Sequence, residues 1–301
     1  MNVDVVIVNY HSWRVLRTSL RAAQRFLGDR ARFILVDNSP GDGSQEVIAS
    51  IATGSTVIEN AQNVGFAAAV NQGIRAGVGE VVLLLNPDID AISGEFSHIE
   101  DAFRDDPRLA AVTVQLRDPD GSIQRHVRGR PTLLDLIATA PGVFHRLKRW
   151  KRLRRFTLSE WDHQSRREVN IACGACLWLR RSALEDVGDF DERFFVYWEE
   201  TDWLVRATAR DWKIVFLPSI EVIHASRTST DAGPDAMSFL FLESQHKYVR
   251  KHFGLAGSVV FRASLIVFDS IRWLRSVPGT KYARRRGDLR RRLLIHLGGS
   301  T

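Results

Sequence analysis

The sequence lacks the features that would place it among secreted or membrane-spanning proteins. It has only two cysteines in 301 residues, so a disulfide-stapled fold is not expected. No run of 18 uncharged apolar residues occurs, so no spanning helix is expected. The N-terminus leads directly into an apolar strand pattern, without the basic and cleavable segments of a signal peptide. We therefore expect a cytoplasmic protein, or one that is peripheral on the cytoplasmic face of the cell membrane.

Two common nucleotide-binding signatures are also missing. No GxGxxG follows the first apolar run, and no GxxxxGK[ST] occurs, which argues against a dinucleotide dehydrogenase and a P-loop NTPase. Cys173 and Cys176 form a CxxC without a second cysteine pair. Their surroundings read as a strand, where three-residue spacing puts side chains on opposite faces, so neither zinc nor redox chemistry is expected.

Charge is distributed unevenly along the chain. The formal net charge is +7, and most of the excess base lies in residues 125–167 and 247–292. Such segments favour anionic partners, namely nucleotide phosphates, an anionic membrane surface or nucleic acid.

Strands and helices alternate through the first 116 residues. Val3–Tyr10 is a continuous β-branched run, and three further apolar runs are separated by helical patterns. This alternation predicts an α/β fold with a parallel sheet. Polar residues follow the strands at the edge where ligands bind in such sheets. They are Asn9, Tyr10, Asp37, Asn38, Asn86 and Asp88.

The stretch from Cys173 to Trp203 ends with three acids behind an aromatic run: Glu199, Glu200 and Asp202. Carboxylates desolvated by aromatic neighbours can act as general bases. Acids in the first turn of a helix equally suit the positive end of its dipole. The stretch alone leaves both interpretations open.

Later segments suggest attachments to this core. Residues 125–168 form a basic insertion with interleaved aromatic residues, which favours either a solvated helix or contact with a membrane or acceptor. An apolar strand pattern ends at His224. Beyond it, one polar stripe runs along an otherwise apolar helix, and a helix of that kind packs into a core or lies in a membrane interface. The tail is polybasic.

Several blocks, in order, resemble motifs of the family 2 inverting glycosyltransferases, closest to the bacterial rhamnosyltransferase-like branch. The blocks are VIVNYHS, VDNSPGDGS, NVGFAAAVNQGI, LLLNPD and GACLWLRRSALEDVGDFDERFFVYWEETDW. The resemblance implies a GT-A fold, with a Rossmann-like nucleotide-binding half, a mixed central sheet and here a helical basic C-terminal extension. We expect a GT-A domain over residues 1–235, with a nucleotide-sugar half at 1–116 and an acceptor half at 117–235, and the extension at 236–301.

The resemblance also implies site residues. Those assigned to the donor are Val8, Asn9, Tyr10, Asp37, Asn63, Gly65, Asn71, Asn86 and Asp88. Asp88 occupies the last position of the family's DxD motif, and with His224 it would hold Mg²⁺ or Mn²⁺. The family's acidic pair falls on Glu199 and Glu200. We predict Glu200 as general base, Glu199 or Asp202 as an orienting or acceptor-binding group, and Trp198 with Glu199 in the acceptor site.

The predicted reaction is transfer of a sugar, L-rhamnose from dTDP-L-rhamnose above others, to a lipid-linked or cell-wall saccharide. Alternatives are another UDP- or dTDP-hexose, a sugar-1-phosphate nucleotidyltransferase, a non-catalytic sugar-nucleotide sensor and a nucleic-acid-binding protein. The nucleotidyltransferase requires a Gly-rich loop where NYHSWR stands. Nucleic acid is disfavoured because the acidic strand ends would repel phosphates. Sugar, base, acceptor and oligomeric state stay open.

Overall fold

A computed structural model describes residues 1–41, 46–47, 54–140, 143, 147, 149–225, 234–275 and 285–297. The chain divides into two compact units. The first comprises Met1–Arg130 with Trp161–Asp231, and the second comprises Pro131–Glu160 with Ala232–Thr301. The boundaries predicted from the sequence stay a prediction.

One nine-stranded sheet forms the first unit. Its strands are β1 (Val3–Asn9), β2 (Ala31–Asp37), β3 (Thr56–Glu59), β4 (Val81–Leu85), β5 (Ile89–Ser93), β6 (Leu109–Arg117), β7 (Arg167–Glu168), β8 (Cys176–Arg180) and β9 (Lys213–His224). The helices of both units are α1 (Trp13–Leu27), α2 (Phe66–Ala76), α3 (Ser97–Asp105), α4 (Leu133–Ala138), α5 (Lys151–Thr157), α6 (Arg181–Val187), α7 (Glu199–Thr208), α8 (Pro234–Arg275) and α9 (Arg285–His296).

The first four strands along the chain pair in parallel, as predicted. The order β3-β2-β1-β4 is parallel throughout, and every residue of β1 is buried. A strand buried on both faces needs the continuous apolar run that Val3–Asn9 supplies. Register pairs Asn9 with Asp37, which brings these two polar strand ends side by side.

The remaining five strands make the sheet mixed. Strand β8 runs antiparallel to β4 on one side and to β6 on the other, and β9 runs parallel to β6. Strand β5 pairs antiparallel with β9 at the far edge, with Ile89 opposite His224. The sequence analysis did not predict β5, because its five residues directly follow the polar end of β4. The residues after PGDGS predict a helix through Ile51, and this stretch lies largely outside the described residues.

Helix α8 dominates the second unit and is interrupted at Gly254, where φ is 69°. Beyond this break, buried positions Ser258, Phe261, Leu265 and Asp269 lie on one side of the helix. Asp269 contacts Arg292 of α9 at 2.8 Å, and an Arg272 nitrogen lies at 2.8 Å from its other oxygen. The predicted polar stripe therefore faces inward, toward α9.

Within the described part of the chain, one segment is long and apolar enough to cross a membrane. It is residues 239–274 of α8, whose most apolar window has a mean hydropathy of 1.5. A search for 18 consecutive uncharged apolar residues does not detect this segment, because Arg262 and Asp269 interrupt its apolar residues. Length and composition alone do not separate a spanning helix from a core or surface helix.

A buried carboxylate links β1 to its surroundings and gives a stability prediction. Asp4 accepts hydrogen bonds from Arg32 at 2.8 Å, from Arg181 at 2.7 Å and from the Gly79 N–H at 2.7 Å. Replacing Asp4 with Ala should lower the free energy of unfolding by about 3 kcal/mol, because two arginines and a buried N–H lose their acceptor. Urea denaturation followed by circular dichroism measures the loss.

The control is Asp105→Ala, because the Asp105 side chain is 62% exposed and its ion pair is with the likewise exposed Arg104, at 3.6 Å. Its expected loss is about 0–1 kcal/mol. Equal losses for both variants would contradict the structural importance of the Asp4 cluster.

Candidate active site

The carboxyl ends of β1 and β2 carry a buried polar corner. The Asn9 amide donates to Asp37 Oδ1 at 2.9 Å and to Ser39 Oγ at 3.2 Å. The Ser39 N–H donates to the same Asp37 oxygen at 3.0 Å, and the Ser12 N–H donates to Asn9 Oδ1 at 3.1 Å. Asp37 is thus held in one orientation. Val8 is buried beside this corner, and Tyr10 is half-buried with its ring 4.4 Å from that of His11.

An amide network extends the site from β2 to the start of α2. Asn38 donates to Asn63 Oδ1 at 3.1 Å, and that oxygen also accepts from the Gly65 N–H at 2.9 Å. Gly65 has φ near +90°, and a Cβ built there would lie 2.7 Å from the Phe195 carbonyl oxygen. That carbonyl accepts from the Phe66 N–H at 2.6 Å. Gly65 therefore lets the loop before α7 approach α2.

Asn71 faces this loop. Its Nδ2 donates to the Phe190 carbonyl and to a Glu192 carboxylate oxygen, both at 2.9 Å, and its Oδ1 accepts from the Phe190 N–H at 3.0 Å. These bonds use both ends of a fully buried amide to fix the loop. The structure thus gives Asn71 a role in the loop, and donor binding by this residue stays a prediction.

Asp88 and His224 lie together, although 136 positions apart in the chain. The distance from His224 Nε2 to Asp88 Oδ1 is 3.3 Å, and Asn86 Nδ2 lies 3.5 Å from the same ring nitrogen. Asp88 is buried, and its Oδ1 makes no hydrogen bond. A buried carboxylate oxygen of this kind is costly unless a cation or donor joins it. The residues therefore fit a divalent cation.

Few other side chains are available to bind a metal together with Asp88 and His224. No group of three His, Cys, Asp or Glu side chains suited to a metal occurs among the residues described here. Mg²⁺ is commonly bound by one or two carboxylates together with substrate phosphates and waters, so a two-residue set suits a cation shared with a diphosphate.

The segment before α7 has strained backbone. Tyr197 and Trp198 both have positive φ, 67° and 73°, and neither is glycine. Such conformations cost about 1–3 kcal/mol each and cluster at functional sites. Nothing in the local sequence predicts these conformations. They turn the chain so that Glu199 and Glu200 open α7, with both carboxylates against the interior.

Glu199 and Glu200 behave as one coupled pair. Burial raises the pKa of Glu199 well above its ordinary value, and the charge of Glu200 and a hydrogen bond between the two carboxyls raise it further. Burial also raises the pKa of Glu200, while the bond to Glu199 and the Gly174 N–H lower it. The Oε2 atom of each makes no hydrogen bond. A helix dipole alone would lower both values, so the pair is more than a cap.

Asp202 is placed elsewhere. It is fully buried, and its Oδ2 accepts from Arg206 Nε at 2.9 Å. Arg206 in turn donates to the Val187 and Asp189 carbonyls at 2.8 and 2.6 Å. Asp202 therefore anchors the loop after α6, and its predicted orienting or acceptor-binding role stays a prediction.

Cys173–Ala175, to which the sequence assigned no site role, joins the two acidic centres. The Ala175 carbonyl accepts from the Asn86 N–H at 2.9 Å, and Gly174 contacts Glu200. Burial, with the charges of Glu200 and Asp88, raises the pKa of the Cys173 thiol to about 12. Burial also raises the pKa of Cys176 to about 12. A raised pKa disfavours the thiolate, which is the reactive form of a cysteine.

A family model, "Glycosyl transferase family 2", matches residues 4–188. This match covers more than half of the chain and includes β1, the amide network, Asp88 and the segment at Cys173. The chain belongs to glycosyl transferase family 2. A relative from Mycobacterium tuberculosis, "N-acetylglucosaminyl-diphospho-decaprenol L-rhamnosyltransferase", is 30% identical over 90% of this chain and 94% of its own length. The predicted family, with its rhamnosyltransferase-like branch, is confirmed, and the protein is a glycosyltransferase.

Solved structures agree on the fold of this glycosyltransferase. The mannosyltransferase PcManGT from Pyrobaculum calidifontis, in complex with GDP-Man and Mn²⁺, superposes with a TM-score of 0.58 at 14% identity, over 99% of this chain and 86% of that one. GalNAc-T7 with UDP, GalNAc and Mn²⁺ gives 0.55 at 14% identity, over 99% and 56%. The predicted GT-A fold is confirmed.

The contact of Gly65 with Phe195 gives a prediction for the glycosyltransferase. We expect Gly65→Ala to lose about 3 kcal/mol of stability or more, because positive φ costs about 1–2 kcal/mol and the clash adds to it. Displacement of the loop should also weaken nucleotide binding. Urea denaturation and calorimetric titration with UDP and dTDP measure both effects.

Gly28→Ala is the control, since Gly28 has φ of +58° but no atom within 4 Å of a built Cβ. It should lose about 1–2 kcal/mol and bind nucleotide normally. If both variants lost equal stability, the close approach at Gly65 would carry no extra cost.

Proposed function

We propose that this glycosyltransferase moves L-rhamnose from dTDP-L-rhamnose to a hydroxyl of a lipid-linked saccharide, with inversion at the anomeric carbon. The observation that carries the proposal is the junction at Cys173–Ala175, which contacts both Asn86, next to Asp88, and Glu200. It brings a candidate diphosphate-metal centre to a candidate base. The rhamnosyl donor and lipid-linked acceptor rest on the M. tuberculosis relative and its printed name.

The donor lies, in this proposal, along the carboxyl ends of β1, β2 and β4. The nucleoside occupies the corner of Val8, Asn9, Tyr10 and Asp37, where Asp37 accepts from the N3–H of thymine or uracil. The pyrophosphate side is lined by three groups whose positions the amide network and β4 determine: Asn63, Gly65 and Asn86. Asn71 acts through the loop that it holds.

Asp88 and His224 would hold Mg²⁺ or Mn²⁺ at this edge. When bound, the cation would stabilise the negative charge that remains on the diphosphate when the sugar departs. The support from this chain is the unpaired Asp88 oxygen and its closeness to His224.

Glu200 is the proposed general base. Burial favours retention of a proton by the Glu199–Glu200 pair, and their mutual hydrogen bond raises the pKa of Glu199 and lowers that of Glu200. In this proposal Glu199 holds the proton that the pair shares, and Glu200 is the carboxylate. It takes the proton of the acceptor hydroxyl while that oxygen attacks the anomeric carbon from the face opposite the diphosphate. Trp198 and Glu199 bind the acceptor.

The second unit, we further propose, holds the enzyme at an anionic membrane on the cytoplasmic face. Beyond Gly254, α8 buries its polar stripe against α9 and exposes an apolar row. The row is Leu255, Val259, Ala263, Val267, Ile271 and Leu274. A helix with polar residues inside and apolar residues outside suits a lipid surface. Exposed Arg290 and Arg291 of α9 would add attraction to anionic headgroups.

An assay of sugar transfer tests the proposed function. Purified enzyme should transfer rhamnose from dTDP-L-rhamnose to a polyprenyl-diphosphate-linked N-acetylglucosamine, with Mg²⁺ or Mn²⁺ required and activity lost in excess EDTA. Glu200→Gln should lower kcat about 10²–10⁴-fold while donor binding persists, because only the base is removed. Activity should fall on acidification at a higher pH than for an ordinary glutamate, since the pKa of Glu200 is raised.

Glu185→Gln, at an exposed site on α6, is the control and should keep full activity. A UDP- or dTDP-hexose that outperforms dTDP-L-rhamnose would replace the proposed donor. Absence of binding and turnover with every sugar nucleotide would refute the proposal, and donor binding without turnover would favour a sensor.

Vesicle flotation tests the membrane proposal. The enzyme should float with vesicles that contain 30% phosphatidylglycerol and less with pure phosphatidylcholine. The double variant Val259→Asp/Val267→Asp should float at least about tenfold less, because each charge lies on the apolar row and must enter the interface.

The matched control is Val78→Asp, at a valine of the first unit that is 79% exposed, more than Val259 at 58% or Val267 at 54%. It should float like the wild type. Flotation that is unchanged in the double variant would show that the apolar row does not contact lipid.

A further inference from the structure

We propose that Gln124 is a positioning residue for the metal site: it fixes the ring tautomer of His224, and Asp118 fixes Gln124. The inference deepens the proposed function and rests on its assignment of Asp88 and His224 to the cation. It concerns two residues that the sequence analysis did not connect with chemistry. Asp118 lies in the sequence DPDG, which is typical of a turn.

The orientation of the Gln124 amide follows from its partners. One end of the amide lies 2.7 Å from Asp118 Oδ1 and 2.8 Å from the His224 carbonyl oxygen. A carboxylate and a carbonyl only accept hydrogen bonds, so this end must be the NH₂ group. The opposite end, the amide oxygen, therefore points at the His224 ring, 2.9 Å from Nδ1.

The tautomer of His224 follows from the same chain of donors. An amide oxygen can only accept, so Nδ1 of His224 must carry the hydrogen that it donates to Gln124. In the neutral ring Nε2 is then the nitrogen with the lone pair, and it is Nε2 that lies 3.3 Å from Asp88 Oδ1. Two metal-ligating atoms thus converge. At this separation both atoms would be able to hold the same cation.

The turn at residues 118–122 holds the first member of the chain in place. The Asp118 N–H donates to the Ser122 carbonyl at 2.8 Å, and the Gly121 N–H donates to the Asp118 carbonyl at 2.8 Å. The Ser122 hydroxyl donates to the second Asp118 oxygen at 3.1 Å. This leaves Asp118 Oδ1 directed at Gln124. The turn therefore orients a carboxylate, the carboxylate orients an amide, and the amide orients the imidazole.

Positioning through a second hydrogen bond is a common property of ligating histidines. Loss of such a partner typically weakens metal binding about 10–100-fold. Gln124→Met keeps the length of the side chain but removes the acceptor. The neutral His224 ring could then carry its hydrogen on Nε2, which would direct an N–H at the metal position.

Two measurements on the full chain test the inference. Long-range ¹H–¹⁵N spectra of the imidazoles, with His224→Ala to assign the signal, should show the Nδ1–H tautomer in the wild type and Nε2–H in Gln124→Met. Electron paramagnetic resonance titration with Mn²⁺, in the presence of dTDP or UDP, should give a Kd about 10–100-fold weaker for Gln124→Met. Asp118→Ala, which frees the amide to rotate, should shift both readouts in the same direction.

Gln24→Met is the matched control, because Gln24 is exposed on α1 and its amide contacts only the Gly28 carbonyl among its recorded hydrogen bonds. It should leave both readouts unchanged. If Gln124→Met does not fold, Asp118→Ala carries the test.

The outcomes separate this inference from the proposed function. If Asp88→Asn and His224→Ala weaken Mn²⁺ binding while folded Gln124→Met or Asp118→Ala retains the wild-type tautomer and affinity, the positioning role is wrong. If Asp88→Asn and His224→Ala also bind Mn²⁺ normally, the proposed metal site itself is wrong.

Discussion

The antiparallel pairing of β8 with β4 decides where everything else in the site lies. Cys176 pairs with Leu85, so the residues just before β8 lie beside those just after β4. The Asn86 N–H completes the junction by its bond to Ala175. Because β8 also pairs with β6, and β6 with β9, the same junction sets the place of His224. One strand inserted between two others thus brings a carboxylate, an imidazole and a glutamate pair to one sheet edge.

Burial of charge is the constraint that this edge must satisfy. Asp37 and Asp202 are buried but are held by donors, Asn9 and Ser39 in one case and Arg206 in the other. Asp88 and the two glutamates each keep an oxygen without a hydrogen bond. Such atoms destabilise a fold, which is tolerable where a ligand completes them. The contrast distinguishes carboxylates that anchor loops from those that we assign to chemistry.

In the second unit, by contrast, helix α8 buries its polar stripe and exposes its apolar row. Asp269 has a pKa of about 2: burial would raise it, but His296, Arg292 and Arg272 outweigh that effect. These partners allow α8 to bury its polar stripe, and the apolar positions are then left on the outer side. In water this arrangement exposes apolar surface, and a lipid interface would cover it. The ion cluster lies between α8 and α9. This cluster and the proposed membrane face therefore both follow from the way α8 packs against α9.

Local pattern determined much of this protein. Continuous apolar runs fix the buried parallel strands β1, β2 and β4, so these strands and the polar edge at Asn9, Asp37 and Asp88 were predictable, and the ordered motifs identified the family. Long-range pairing decided the rest. Strand β5, the contact of Asp88 with His224, the turning of Asp202 toward Arg206 and the bonds of Gln124 join residues distant in sequence. A side chain's partner depends on register and backbone turns such as Tyr197–Trp198, and those follow only once the whole sheet has formed.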